Sequence, residues 1–414
     1  MNRRFSFWRS CRLAAALRAA ALCATFACAT AAQAAQYTVT DLGTLGGTQQ
    51  REVGGINDSG QAVGFYTTVN AARRAFLWTP STPNGVSGAM HDLGTLGGNE
   101  SIGNGINDSG QTVGWARPTG NPTIHAFLWT PSTPNGVSGA MHDLGTLGGT
   151  SSSGWNLNAS GQVVGESRTT GNATTRAFLW TPSTPNGVSG AMHDLGTLGG
   201  IGSVGLDINA SGQVVGESST AGDLVAHAFL WTPSTPNGDS GAMLDLGTLG
   251  GAYSTAFGIN DSGQAVGSSD TSSATHAFLW TPSTPNGDSG AMLDLGTLGG
   301  AYSLGRDVNA SGQVVGSSDY MTGSAAQHAF LWTSGAGMVD LNTLIDPLSG
   351  WELRGATAIN DAGQIVGTGR IGGQNRAILL TPIPEPSSLA LLALALPLAV
   401  RRLRSTCPAD GTIS

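Results

Sequence analysis

Three sets of residues in this 414-residue chain could do chemistry. The first is an aspartate heading an Asp-Leu-Gly motif at Asp41, Asp92, Asp143, Asp194, Asp245 and Asp294, with a variant Asp-Leu-Asn at Asp340. Seven equivalent carboxylates could meet cations or sugars. The second set is His91, His125, His142, His193, His227, His276 and His328, side chains able to ligate a metal. The third is a turn acid at Asp58, Asp108, Asp261 and Asp361, where a calcium loop would need several oxygens. Each set loses force under its own spacing. A single active site does not recur in every unit, so the Asp-Leu-Gly aspartate is expected to cap the amides that follow its strand. Ala159, Ala210 and Ala310 replace the turn acid elsewhere, and Arg74, Arg176 and Arg376 replace the histidine before Ala-Phe-Leu. A shared metal site would tolerate neither exchange. No nucleophile–base constellation and no phosphate-cradling glycine motif is present. No catalytic residue, cofactor or metal is therefore assigned, and the chain reads as a non-enzyme.

The elements that would position these residues are copies of one unit. Residues 78–98, 129–149 and 180–200 are identical, and 231–251 and 280–300 are edited versions. Around them an Asn-x-x-Gly-Gln motif recurs at Asn57, Asn107, Asn158, Asn209, Asn260, Asn309 and Asn360. Each unit predicts four short strands. The first ends before the Asn, whose side chain can bond its own backbone while the glycine supplies positive φ, making a tight hairpin. The second follows the Gln, the third is His-Ala-Phe-Leu-Trp-Thr, and the fourth leads into Asp-Leu-Gly. The third strand carries apolar residues on both faces, Ala126 and Leu128 on one and Phe127 and Trp129 on the other. Such a strand must be buried on both sides, so one unit needs neighbours on both sides.

Seven four-stranded units predict an all-β fold, a seven-bladed β-propeller over 36–382, with a β-solenoid as the alternative. The array is cut in an informative place. It begins with a lone fourth strand at 37–44, and its last unit, 351–382, has only three strands. The N-terminal strand can complete the last blade, closing the ring and removing its open edges.

Composition narrows the function. The 18 basic residues are all arginine, and within 36–383 ten of them face 24 acids. That balance repels phosphate backbones and excludes nucleic acid as a partner. The four cysteines, Cys11, Cys23, Cys28 and Cys407, lie outside the repeats, which excludes a disulfide framework and a thiolate metal site there.

The two ends read as addresses. Residues 1–35 combine Arg3, Arg4, Arg9 and Arg12 with an Ala/Leu-rich run and Ala32-Gln33-Ala34, the pattern of a secretory signal peptide. At the other end Pro384, Glu385 and Pro386 precede an apolar run, Leu389 to Val400, and then Arg401, Arg402 and Arg404. That run is short for a bilayer span of about 20 residues. All three parts occur in order, so 383–404 resembles the PEP-CTERM sorting signal of Gram-negative bacteria. The resemblance implies an exosortase-type sorting machinery as partner, transient membrane association through residues 387–400, and an extracellular or cell-surface destination. A tail, 405–414, departs from the pattern by running past the arginines. The body, 37–382, resembles the HAF repeat family of bacterial extracellular proteins, which brings no reaction with it.

Any special site would lie where the units differ. The candidate ligand contacts are Trp115, Trp155, Asp207, Arg306, Asp307 and Tyr320, on first strands (innermost by analogy with WD-repeat blades) and on the connections after second strands. Aromatics and acids on one ring face could bind glycans, and exopolysaccharide is the partner class that the sorting resemblance implies. The expectation is a non-enzymatic structural or binding module of the extracellular matrix. Two rivals are a carbohydrate-active enzyme, which would need an acid pair, and an ice-binding protein, which would need a flat threonine array.

Overall fold

Apolar alternation on the third strand decides the packing. Phe127 and Trp129 pack backward against Val63, Ala75 and Leu77, while Ala126 and Leu128 pack forward against Phe178 and Trp180. The same two-sided burial recurs from unit to unit. Each unit is thus wedged between two others, and seven wedges complete a circle.

A computed structural model describes residues 36–45, 49–120, 122–222, 225–323 and 326–384, with the side chains of 49–52 left aside. The signal segment 1–35, Glu385, Pro386, the apolar run, Arg401, Arg402, Arg404 and the tail lie outside the described residues; Pro384 is the last of them. Among the described residues no helix is long and apolar enough to cross a membrane.

The fold is a seven-bladed β-propeller. Blade 1 comprises Gln49–Ile56, Ala62–Thr67, Arg73–Pro80 and Gly88–Asp92, and is followed by five blades of the same antiparallel order. Blade 7 takes Glu352–Ile359, Ile365–Ile371 and Gln374–Pro382 from the end of the array and Tyr37–Asp41 from its beginning. Tyr37 pairs with Pro382 and Asp41 with Ile378, so the N-terminal strand closes the ring as its sequence implied. First strands touch first strands all the way round, Gln49–Ile56 meeting both Gly97–Ile106 and Glu352–Ile359, so they line the axis.

Every first strand carries a β-bulge three residues before its turn asparagine. The register slips between Val53 and Gly55, Gly103 and Gly105, Gly154 and Asn156, Gly205 and Asp207, Ala256 and Gly258, Gly305 and Asp307, and Ala356 and Ala358. A bulge inserts one residue that the partner strand does not match and re-aims it. Close approach at this level dictates a neighbour: a Cβ on Gly105 would lie 2.3 Å from Asn156 Oδ1 and 2.9 Å from Trp155 O. The turn that follows demands positive φ at its glycine, +79° at Gly60.

Candidate functional site

The ring has two faces. On one lie the turns between first and second strands together with the Pro-Ser-Thr-Pro-Asn-Gly loops. On the other lie the Asp-Leu-Gly connections and the variable loops between second and third strands.

The turn face is a hydrogen-bonded belt. Each turn asparagine is nearly buried and donates from Nδ2 to the main-chain oxygen of the next blade's asparagine, at 3.0–3.3 Å. The seventh bond, Asn360 to Asn57, closes the circle. The paired glutamine then reaches the next blade's loop. Gln61 Nε2 donates to Asn135 O, Gln111 to Asn186 O, Gln162 to Asn237 O, Gln213 to Asn286 O and Gln364 to Asn84 O. These loop asparagines sit at φ near +57°, a conformation asparagine tolerates better than most residues. The loop's word-for-word constancy is explained: it is a clasp between blades. The turn acids belong to the same system, since Asp108 Oδ1 accepts the amide of Asp58 and Asp261 Oδ1 that of Ala210. Four carboxylates, Asp58, Asp108, Asp261 and Asp361, rim a depression of about 220 Å³ at the axis. Burial raises Asp58 above the usual carboxylate range, and the charges of Asp108, Asp361 and Asp261 push the same way.

On the loop face the Asp-Leu-Gly aspartate caps the amide two residues on in all seven units, as at Asp143 to Gly145 (2.8 Å) and Asp340 to Asn342 (2.8 Å). In most units it also meets the basic side chain near the start of the third strand. His125, His227, His276 and His328 meet Asp143, Asp245, Asp294 and Asp340 at 2.6–2.9 Å, and Arg74 meets Asp92 at 3.1 Å. Histidine and arginine interchange here because either can donate to that carboxylate. Among the described residues no group of three or more His, Cys, Asp or Glu could hold a metal.

Sequence reasoning missed a serine clamp. Ser101, Ser152, Ser203, Ser254 and Ser303 each accept the amide of the preceding blade's Ala75, Ala126, Ala177, Ala228 or Ala277 at 2.8–3.0 Å, and donate to the glycine carbonyl of the intervening Asp-Leu-Gly. Their spacing of 51, 51, 51 and 49 was the available signal.

The six predicted ligand contacts do not form one site. Trp115 has its ring covered by the Arg73 guanidinium, 4.8 Å away, and Arg73 and Arg117 both pair with Glu100. The hydrogen bond from Arg117, with Arg73 nearby, holds the Glu100 carboxyl below its usual range against the effect of burial. Tyr320 stacks on His328, centroids 3.7 Å apart. Neither ring is an open platform. The other four lie together on the first strands. Trp155 and Arg306 are bulge residues, and Asp207 and Asp307 are their counterparts one position on, in blades 4 and 6.

Asp207 is buried; it accepts from Ile208 N (2.8 Å), from Ile259 N of the next blade (2.7 Å) and from Asn156 Nδ2 of the previous one. Asp307 likewise accepts from Val308 N and from Ile359 N of blade 7. These acids are staples between inner strands. Burial pushes Asp207 up to about 8, with the charge of Asp307 adding and the three donors opposing; burial pushes Asp307 up to about 6. An unfolded aspartate titrates near ~3.9, so the folded state binds the extra protons and stability falls as pH rises. The window runs from about 4 to 6 for both acids and on to about 8 for Asp207. Thermal melts are expected to show wild type losing more stability than Asp207→Asn between pH 5 and 8. Parallel pH profiles would exclude Asp207 as their source.

The full bulge set is Gly54, Asn104, Trp155, Leu206, Phe257, Arg306 and Thr357. No two are alike, in a chain that otherwise copies itself. Arg306 lies with its guanidinium 4.8 Å from the Phe257 ring centroid. Asn104 donates to Gly154 O of the next blade.

A family described as "Protein of unknown function (DUF3466)" matches residues 200–379. No curated protein matches the chain. The matched stretch takes in all or most of blades 4 to 7, which include Leu206, Phe257, Arg306 and both staple acids.

Proposed function

We propose that this is an exported, surface-sorted, non-enzymatic binding module of the extracellular matrix, with a polysaccharide as its partner. The supporting observation is the division of labour among its residues. What repeats is spent on building the ring: the asparagine belt, glutamine–loop clasp and serine clamp join blades, and the Asp–His and Asp–Arg pairs tie third strand to fourth within a blade. What does not repeat gathers on the axis and on the loop face, where it is left for a specific contact. The address comes from residues 1–35 and from the resemblance of 383–404 to a PEP-CTERM signal, read by an exosortase-type machinery, with residues 387–400 holding the chain at the membrane in transit.

The test is retention of the purified full chain by a panel of insoluble bacterial extracellular polysaccharides, scored for binding and for release of soluble sugar. Binding without sugar release is expected. Sugar release would replace the binding module by a carbohydrate-active enzyme, and failure to bind any member of the panel would remove the polysaccharide partner.

A further inference from the structure

Two aromatic rings stand exposed among the described residues, and they are a pair. Tyr253 and Tyr302 are 51% and 54% exposed, whereas every described Phe and Trp and the other three tyrosines are buried or half-buried. Each lies seven residues before its turn asparagine, Asn260 or Asn309, where the chain enters the first strand of blades 5 and 6. They therefore hold the same place on the loop face, one blade apart. Single exposed apolar side chains are ordinary; two exposed rings at one register on adjacent blades are not scattered. One short loop joins them. At its first root Asp270 N donates to Tyr253 O at 2.8 Å, and at its second root Thr275 is bridged to Tyr302. Thr275 Oγ1 donates to Asp270 Oδ1 at 2.8 Å, which ties the two roots together. Thr271 closes the loop: its N donates to Ala274 O (2.7 Å) and its Oγ1 accepts from Ala274 N (3.0 Å). Ser272 and Ser273 are exposed at the tip. The main chain under each ring is pinned too, because the next residue is a clamp serine, Ser254 or Ser303, bonded to the preceding blade. The result is ring, hydroxyl loop, ring, on a rigid scaffold.

We infer that Tyr253, the 271–274 loop and Tyr302 form a docking surface for a neutral polysaccharide, with one sugar lying on each ring. A pyranose has an apolar C–H face and a rim of hydroxyls. It is matched by a flat ring beneath it and hydroxyl groups beside it, and tyrosine and serine supply both with little ordering cost. The contact uses ring faces, so neither phenol hydroxyl has to be free. Charge selects the polymer. No arginine or lysine lies between Arg176 and Arg306, and Asp245, Asp270 and Asp294 stand on this face of blades 4 and 5. The histidines there, His227 and His276, are taken up by Asp245 and Asp294. An acidic polymer would meet repulsion with no cation to offset it. The surface is also accessible. Tyr37 and Pro382, the two ends of the array, pair with each other at the opposite, turn face, so the chain enters and leaves the ring away from the tyrosines. An open surface of this kind takes an internal stretch of a polymer, where a closed pocket would take its end.

This inference rests on reading the ring as a polysaccharide-binding module, and its test separates the two. Retention of the full chain would be measured on two neutral glucans, cellulose and curdlan, and on an acidic polymer, calcium alginate beads. Retention by at least one glucan and none by alginate is expected. Tyr253→Ala and Tyr302→Ala should each weaken it about tenfold or more, and the double variant should abolish it. Tyr302→Phe keeps the ring and should stay within about twofold of wild type. Val86→Ala, which trims an exposed apolar side chain on the turn face, should change nothing. Thermal melts of each variant would show that the ring is intact. Retention by alginate alone, or glucan retention that survives the double variant, overturns the tyrosine surface and leaves the binding module standing. Retention by none of the three overturns the surface, and the module falls with it only if the wider polysaccharide panel fails as well. Sedimentation supplies the last arm: self-association of wild type that the double variant loses would give the surface to a second copy of this chain and overturn the glycan site.

Discussion

Deleting Tyr37–Leu42 from the chain is expected to abolish cooperative unfolding of a closed ring. Those residues supply the outer strand of blade 7, bury Tyr37 and Leu42, and cover the edge of Gln374–Pro382. Tyr37 packs with Leu353 and Leu380, while Leu42 packs toward Phe76 and Trp78 of blade 1. The loss therefore strikes both sides of the closure. Two large side chains at about 2 kcal/mol each and several unpaired strand amides at about 1 kcal/mol each amount to more than 5 kcal/mol, comparable with the whole stability of many domains. A second effect follows from the bared edge, a template for pairing with other chains, so the truncated protein should also oligomerise. The control is a permuted chain in which residues 37–45 follow Pro382. It restores the missing strand and should melt within a few degrees of wild type, as a monomer. Denaturant melts and sedimentation of the three proteins decide it. A truncated chain that stays monomeric with an unchanged midpoint would mean that the ring does not depend on its closing strand.

The architecture was legible because the chain shows its strand pattern seven times over and is cut in the wrong place for an open array. Two-sided burial of the third strand, the tight turn at Asn-x-x-Gly-Gln and the capping role of the Asp-Leu-Gly aspartate are all local or periodic, and such properties can be read from spacing. The binding candidates were less legible because they depend on which way side chains are re-aimed. Trp115, Trp155 and Tyr320 look alike in sequence. One is covered by Arg73, one sits half-buried at the bulge of an inner strand and one is stacked on His328. The bulge separates them, and a bulge leaves no residue signature beyond its consequence. That consequence was present: position three before each turn asparagine is one of the places near the turn where all seven copies disagree. Leu206, Asn104 and Thr357 are neither aromatic nor charged, and Phe257 stands out only when variation at a fixed register is followed. Asp207 and Asp307 stand out in the sequence as non-repeated acids; both are staples whose oxygens bridge inner strands.

Symmetry also accounts for the chain's tolerance of some exchanges and not others. Ala replaces Asp in three of seven turns because that carboxylate only adds one bond to the preceding blade's amide. The asparagine beside it never varies, because it holds two blades and its own turn at once. Repetition spreads cohesion over all the boundaries, and the asparagine is the contact that every boundary keeps.

Asn158→Ala should therefore be among the most damaging single substitutions in the ring. Its Oδ1 accepts from Ser160 N and Gln162 N at 3.1 and 3.0 Å. Its Nδ2 donates to Gln162 Oε1 at 2.9 Å and to Asn209 O at 3.2 Å. Alanine leaves these groups without a partner in a site where Asn158 is 4% exposed. Each stranded buried polar group costs about 1–3 kcal/mol, and water that enters the vacated space recovers part of it, so a net loss of about 3–5 kcal/mol is expected. Asn158→Asp should do no better. It keeps both acceptor bonds, but it sets a carboxylate oxygen against Gln162 Oε1 and the carbonyl of Asn209. The neighbouring Ala159→Asp, an exchange the chain itself makes in other blades, should stay within about 0.5 kcal/mol of wild type. Equilibrium denaturation of the three variants, with the same substitution repeated at Asn209, separates belt from turn. Equal losses at the two positions are the signature of a belt in which each member holds the next. A loss below about 1 kcal/mol at Asn158 would mean that the apolar wedges between blades suffice and the belt only sets the register of the turns.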